Sequence, residues 1–389
     1  MEISSSKKIA LVHDWYSSKF SGGAESTVKI MNEVLYELFD EEPNLYALIE
    51  DLKNKSNSWP HSKKINTSFI QNLPFSKSHL QNYLPLFPLA IEQFDLSSYE
   101  LIISSSHVAA KGVLTSPNQL HISYIHTPMR YAWDQMHTYL ATTNLKKFGL
   151  EPLMRIILHY LRSWDQTSST RIDHLIANSN FTAKRIKKYW GRDSKVIFPP
   201  VDTDRFDYQK ERGDYYISVC RLVANKRVDL IIRAFNHLKL PLIVIGDGPE
   251  KNKLRKLASR NIQILGFQEE VDLKKYLEAA KAFVYAGIED FGIAPVEAMA
   301  AGSPVIAYDI AGLRDTVNCI SSNSKMPTGI LFKEQSVRCL IETIEWYEAK
   351  RIWESIRSND LRSWANKFSL DNFKKNFTNY IDECCDEFF

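Results

Sequence analysis

Short apolar runs rich in β-branched residues alternate along the chain with longer stretches whose apolar positions recur every three or four residues. That alternation predicts strands joined by crossover helices, and so a parallel sheet. Ile9 to Val12 reads as the first strand. A loop holding Ser21-Gly22-Gly23-Ala24 follows, then a helix from Glu25 to Leu38. Further strands are predicted at Leu101 to Ser104, His121 to Ile125, His174 to Ala177 and Lys195 to Phe198, with Asn178-Ser179-Asn180 capping a helix over Phe181 to Tyr189. The pattern restarts after Pro199-Pro200. Strands are predicted at Asp214 to Val219, Pro241 to Ile245, Ile262 to Leu265, Ala282 to Tyr285 and Val305 to Tyr308, with helices over Val228 to Leu238 and Glu250 to Ala258. Two α/β units joined near Pro199 to Asp214 account for this order. The stretch from Trp364 to Phe389 is aromatic-rich and helical in period.

The length, 389 residues, fits two domains, and 44% hydrophobic with 24% charged residues is the balance of a globular protein. The net charge of +3 excludes a nucleic-acid polycation, so no nucleic-acid partner is expected. Cys220, Cys319, Cys339, Cys384 and Cys385 are odd in number and lack paired metal-ligand spacing. They read as reduced thiols of a cytosolic protein. The apolar runs fall far short of the roughly 20 residues that cross a bilayer, and Met1 to Lys8 lacks an apolar signal core. A cytoplasmic location is therefore expected, with any lipid contact peripheral. Residues 145–197 hold 11 Lys/Arg against 4 Asp/Glu, concentrated at Lys184, Arg185, Lys187 and Lys188. Such a helix is either a solvated face or a surface for anionic headgroups at the inner face of a membrane.

The strongest local feature runs from Glu289-Asp290-Phe291-Gly292-Ile293-Ala294-Pro295 to Val296-Glu297 and ends at Gly302. Pro295 suits the first position of a helix and Gly302 the residue past its end. Phe291 to Ala294 would then present amides at a helix N-terminus, where free N–H groups and the dipole favour a phosphate. Glu289 and Glu297, the latter placed in the first turn, flank that anion site. Carboxylates repel phosphate, so hydroxyls of a sugar and a ribose are their sensible partners. Either glutamate alone would suit a solvated loop or a dipole partner; the full string points to a ligand. Arg221 and Lys226, in a loop after a strand, are two cations suited to an anionic ligand, although such a loop can also be merely solvated.

Glu289 and Glu297 with Phe-Gly and Pro between them resemble the E-x7-E motif of retaining GT-B glycosyltransferases of family 4, also called group 1. Cys220-Arg221-Leu222-Val223-Ala224-Asn225-Lys226 resembles the family's G-R-L-x-x-x-K segment, with Cys where Gly or Ser is usual. Gly22-Gly23-Ala24-Glu25 is similar to its glycine-rich loop, Gly246-Asp247-Gly248-Pro249 to its G-x-G-P turn, and Leu265-Gly266-Phe267 to the segment that meets the nucleotide base. His126-Thr127-Pro128-Met129-Arg130-Tyr131-Ala132-Trp133-Asp134 looks most like the branch that builds bacterial surface polysaccharides. His126 alone would suit a satisfied core histidine, and Arg130 with Asp134 a structural salt bridge.

The resemblance implies a fold of two Rossmann-like domains facing across a nucleotide-sugar cleft. They are expected over 1–205 for the acceptor side and 206–360 for the nucleotide sugar, with helices over 361–389 crossing back to the first domain. It implies retaining transfer of a hexose from a nucleoside diphosphate to a glycan or lipid-linked glycan. UDP-glucose is the favoured donor and GDP-mannose the next. Arg221 and Lys226 would hold the pyrophosphate. Amides of Gly23, Phe291, Gly292 and Ile293 would meet phosphate and sugar, with Gly22, Gly246, Gly266 and Phe267 lining the nucleotide. Glu289 would hold the hexose, Glu297 the ribose, and His126 the donor sugar near the reacting carbon. No metal or other cofactor is required. The D-x-D string Asp202-Thr203-Asp204 falls in the family's P-V-D-x-x-x-F linker and is assigned to structure. A nucleotide-sugar epimerase or hydrolase, or a non-catalytic nucleotide-sugar sensor, shares most of these features. A Rossmann oxidoreductase does not, since the G-x-G-x-x-G spacing is absent.

Overall fold

The computed structural model describes residues 7–17, 22–52, 64–142, 149–320 and 325–389. The chain forms two compact units, one of residues 1–198 with 374–389, the other of residues 199–373. Residues 199–205 thus belong with the second unit rather than the first. Val201 bonds to Phe368, Asp204 pairs with Arg362, and Arg205 pairs with Glu297, all inside that unit. Residues 361–373 stay there too, and the chain joins the first unit only from Lys374 onward.

The first unit is a seven-stranded sheet in the order β3-β2-β1-β4-β5-β6-β7, parallel throughout. Its strands are β1 (Ile9–Ser17), β2 (Asn44–Asp51), β3 (Ile65–Thr67), β4 (Leu101–Ser106), β5 (Leu120–Ile125), β6 (His174–Ala177) and β7 (Lys195–Val196). Helices α1 (Gly23–Phe39), α2 (Phe87–Glu92), α3 (Met136–Thr142), α4 (Glu151–Ser169) and α5 (Asn180–Trp190) cross over between strands. β4 and β5 are buried along their whole length, as central strands covered on both faces must be. Their polar residues satisfy one another: His121 Nε2 lies 2.8 Å from Ser104 Oγ, which donates to Ser123 Oγ at 2.7 Å. Burial pushes His121 down to about 3.

The second unit repeats the plan with six strands, ordered β10-β9-β8-β11-β12-β13 and again parallel. They are β8 (Tyr216–Val219), β9 (Leu242–Ile245), β10 (Ile262–Gly266), β11 (Ala282–Tyr285), β12 (Val305–Tyr308) and β13 (Gly329–Phe332). The helices are α6 (Val228–Leu238), α7 (Lys251–Leu257), α8 (Glu270–Glu278), α9 (Ile293–Ala300), α10 (Leu313–Thr316), α11 (Val337–Ala349), α12 (Ile352–Ser355) and α13 (Ser358–Ala365); α14 (Leu370–Phe388) closes the chain. In each sheet the strand order reverses once, between β1 and β4 and between β8 and β11. In open α/β sheets that point, at the carboxyl ends of the strands, is where ligands bind.

Candidate functional site

At the switch point of the second unit, β8 leads into the Arg221–Lys226 loop and β11 into Glu289. The turn after β9 clamps the first of these loops. Gly246 has φ +138°, and a Cβ there would stand 1.9 Å from the Cys220 carbonyl oxygen. Leu222 N donates to Asp247 O at 2.9 Å, and Glu250 N to Leu222 O at 3.1 Å. Gly246 therefore fixes the cation loop, and the glycine is needed for chain packing whatever else it meets. Cys220 packs as a small neutral group whose thiol burial pushes up to about 12.

Lys226 Nζ donates to Glu289 Oε1, and Tyr285 Oη donates to the same oxygen. The two residues expected to share a nucleotide sugar thus meet each other directly. Arg221 is exposed; its carbonyl accepts from Val223 N at 2.9 Å, and its side chain has no hydrogen bond or ion pair among the described residues. Beyond Glu289 the chain turns through Gly292, at φ +104°, into α9. The helix begins at Ile293, two residues before the expected start, so Pro295 occupies its third position and Glu297 lies in the second turn. No side chain caps this N-terminus; Pro295 has no N–H, which leaves the Ile293 and Ala294 amides as first-turn donors. Phe291 anchors the turn, its ring edge-on to Phe368 at 5.3 Å.

Glu297 is held by Arg205, which also reaches Glu270 at 2.9 Å. Burial keeps the Glu297 carboxyl above its ordinary range despite that cation. Gly266, at φ +85°, ends β10, and Phe267 beside it is 70% exposed, a free aromatic face. Asp204 is taken by Arg362, which also donates to Thr203 O. Among the described residues, no three His, Cys, Asp or Glu side chains converge as metal ligands.

The first unit holds the remaining expected residues. Gly22 is extended, at φ −166°, so positive φ is not what requires glycine there; its N–H donates to Glu25 Oε2 at 2.8 Å, and Gly23 opens α1. Ser21 of that loop lies outside the described residues. His126 directly follows β5 with Nε2 2.8 Å from Ser105 Oγ, and burial holds its imidazole far below the usual value. The string after it is largely an anchor. Met129 and Ala132 are buried, and Trp133 stacks on Tyr189 at 4.6 Å. Asp165 Oδ2 accepts from both Trp133 Nε1 and Trp190 Nε1, each at 2.8 Å, and Oδ1 lies 3.3 Å from the buried Lys111 ammonium. Asp134 pairs with Arg185 of α5, as the structural salt-bridge alternative for it allowed. Arg185 is consequently buried, leaving Lys184, Lys187 and Lys188 as the exposed cations of that helix. Residues 145–148 of the basic region lie outside the described residues. No described helix is long and apolar enough to cross a membrane.

Sequence reasoning passed over Tyr285, Arg205, His13, Asp14 and His107. The only available signals were a tyrosine four residues before Glu289 and the His13-Asp14 pair inside the first strand.

Two doubly wound parallel units, with cations and a helix N-terminus at one switch point, define the GT-B class of fold. The profile of glycosyl transferases group 1 matches residues 200–367, and that of glycosyltransferase family 4 matches residues 53–205. Each match thus places a glycosyltransferase domain on its own stretch of the chain. It is 26% identical over 247 residues to the human GDP-Man:Man(3)GlcNAc(2)-PP-Dol alpha-1,2-mannosyltransferase, covering 54% of this chain and 48% of that protein. It is 29% identical over 180 residues to a GDP-mannose-dependent phosphatidylinositol monomannoside mannosyltransferase of Corynebacterium glutamicum, covering 38% and 47%. The matches thus span about half the length of these relatives. Among solved structures, Anabaena HepE in complex with UDP superposes with a TM-score of 0.66 at 16% identity, covering 97% of this chain and all of that one. Sucrose-phosphate synthase from Thermosynechococcus elongatus gives 0.71 at 15% identity, covering 97% and 99%. At such identities these likenesses carry the fold.

Proposed function

We propose that the protein is a retaining hexosyltransferase that moves a hexose from a nucleoside-diphosphate sugar to a glycan or lipid-linked glycan in surface-polysaccharide synthesis. The observation that carries this reading is the convergence of Lys226, Glu289 and the free N-terminus of α9 at the second switch point, with exposed Arg221 on the same loop as Lys226. Arg221 and Lys226 take the pyrophosphate, Glu289 the hexose, and Glu297 the ribose; Phe267 offers a face to the base. In the first unit His126 meets the donor sugar, and that domain takes the acceptor. The leaving phosphate accepts the acceptor proton on the face from which it departs, so the side chains supply position and charge rather than a covalent nucleophile. Helix-terminal amides and the two cations do the work a metal would otherwise do, and transfer is expected to survive EDTA.

UDP-glucose is the favoured donor, with GDP-mannose second; among the relatives are enzymes named for GDP-mannose, and HepE was solved with UDP. The protein works in the cytoplasm, with Lys184, Lys187 and Lys188 available to anionic headgroups. A thermal-shift panel of nucleotide sugars tests the reading. Ligand at about 100-fold saturation stabilises the native state by roughly 2.7 kcal/mol, so the true donor stands out. No shift with any UDP- or GDP-sugar would refute it.

A further inference from the structure

Four titratable side chains of the first unit gather where β1 and β4 diverge: His13, Asp14, His107 and His126. Asp14 is completely buried, and the amides of His107, Val108, Ala109 and Ala110 all donate to it, at 2.6, 3.0, 2.6 and 2.8 Å. The same carboxylate lies 3.0 Å from His107 Nδ1. This one side chain therefore sets the turn that carries His107 and lies against the Nδ1 edge of its ring.

His13 is fixed in the same sense. Its Nδ1 lies 2.9 Å from the Ser105 carbonyl, which can only accept, so that nitrogen carries the proton. Burial and the neighbouring His107 hold His13 down at about 4, so the ring is neutral. His126 is likewise held neutral by burial, and its ring centroid lies 6.3 Å from that of His107. Neither His13 nor Asp14 has any surface. The His107 side chain is 22% exposed, yet its Nδ1 is shut away against Asp14. The exposed edge is therefore the one that carries Nε2.

We propose that His107 is a further substrate-contacting residue, its Nε2 edge hydrogen-bonding a hydroxyl oxygen of the acceptor glycan beside His126, and that Asp14 is the residue that positions it. The inference rests on the reading above that the first domain takes the acceptor. A neutral hydroxyl suits the site better than a phosphate, because Asp14 and Glu25 set two carboxylates near one imidazole. Those two groups favour the charged ring, burial and Arg130 oppose it, and the balance raises its ordinary value.

The test uses the full chain with methyl α-D-glucopyranoside and methyl α-D-mannopyranoside as probes, observed by saturation-transfer NMR in the presence of UDP or GDP. Binding is expected in the wild type and in Glu289→Ala. In His107→Ala it should weaken at least about tenfold, equivalent to 1.4 kcal/mol, with nucleotide affinity unchanged. Glycoside binding that is absent from the wild type, unaltered in His107→Ala, or lost only in Glu289→Ala would overturn the proposal. Failure of every nucleotide to bind would instead remove the transferase reading. For Asp14, a ring-proton titration of the wild-type histidines is expected to give His107 the highest midpoint of the three clustered rings. A His107 midpoint below that of free imidazole in a peptide, about 6.5, would remove Asp14 from the role.

Discussion

Replacing Glu289 by alanine is expected to abolish transfer while leaving free nucleoside diphosphate bound as tightly as before, or more tightly. In the free protein Lys226 is engaged by Glu289, with the two side chains 18% and 22% exposed. For charges about 4 Å apart at an effective dielectric near 20, the attraction is roughly 4 kcal/mol. Desolvation and side-chain ordering offset most of it, leaving about 1 kcal/mol. A diphosphate that recruits Lys226 has to break this pair, so the pair opposes nucleotide binding by about that amount. Deleting Glu289 lifts the opposition, and affinity for UDP or GDP should rise by up to about fivefold. Lys226→Ala should instead weaken the same ligand by roughly 1.5–3 kcal/mol, about 10- to 150-fold. Calorimetry on both variants and on the double variant measures the coupling. Equal weakening by the two single substitutions would refute the reasoning, since it would place both side chains on the nucleotide itself.

Glu297→Ala and Arg205→Ala are expected to weaken free nucleoside diphosphate alike, by about 10-fold or more in the same titration, because Arg205 holds the carboxylate assigned to the ribose. Asp165→Asn should lower stability by about 3–5 kcal/mol in denaturant unfolding, since it leaves the buried Lys111 ammonium without its counter-charge. Acid should also unfold the protein before its surface carboxylates protonate. His13 and His121 are held near 4 and 3 in the fold against an ordinary 6.5, so the unfolded chain binds more protons between those values. Their contribution is intact above pH 6.5 and is lost as pH falls below it; a Tm that stays flat from pH 7 to 4 would contradict this.

Much of the fold is legible in the sequence, because central parallel strands are short unbroken apolar runs. His174 to Ala177, Ala282 to Tyr285 and Val305 to Tyr308 have the expected bounds. β2, β3 and β13 escaped because Asn44–Asp51 ends in charge, Ile65–Thr67 has a single apolar residue, and Gly329–Phe332 opens on a glycine. The start of α9 was misplaced for a specific reason: Gly292 adopts a left-handed conformation and begins the helix before the proline that announced it. Arg185 was read with its basic neighbours, although it falls on the same helix face as Thr182 and Ile186 and is buried with them. The candidate carboxylates and cations were visible as types, but their mutual pairing was not. Lys226 and Glu289 are 63 residues apart, and Arg205 and Glu297 are 92 apart; spacing within a motif carries no trace of such contacts.

The last helix adds a consequence for the order in which the chain can fold. Lys374 of α14 pairs with Glu33 and Glu37 of α1, and Phe377, Ile381, Cys384 and Cys385 are buried. The first unit is therefore completed by residues 374–389, which are synthesised after the whole of the second. On a ribosome it must wait with part of its apolar surface uncovered while the second unit, continuous in sequence, forms at once. The unit whose strands are made first is in this sense the later of the two to mature.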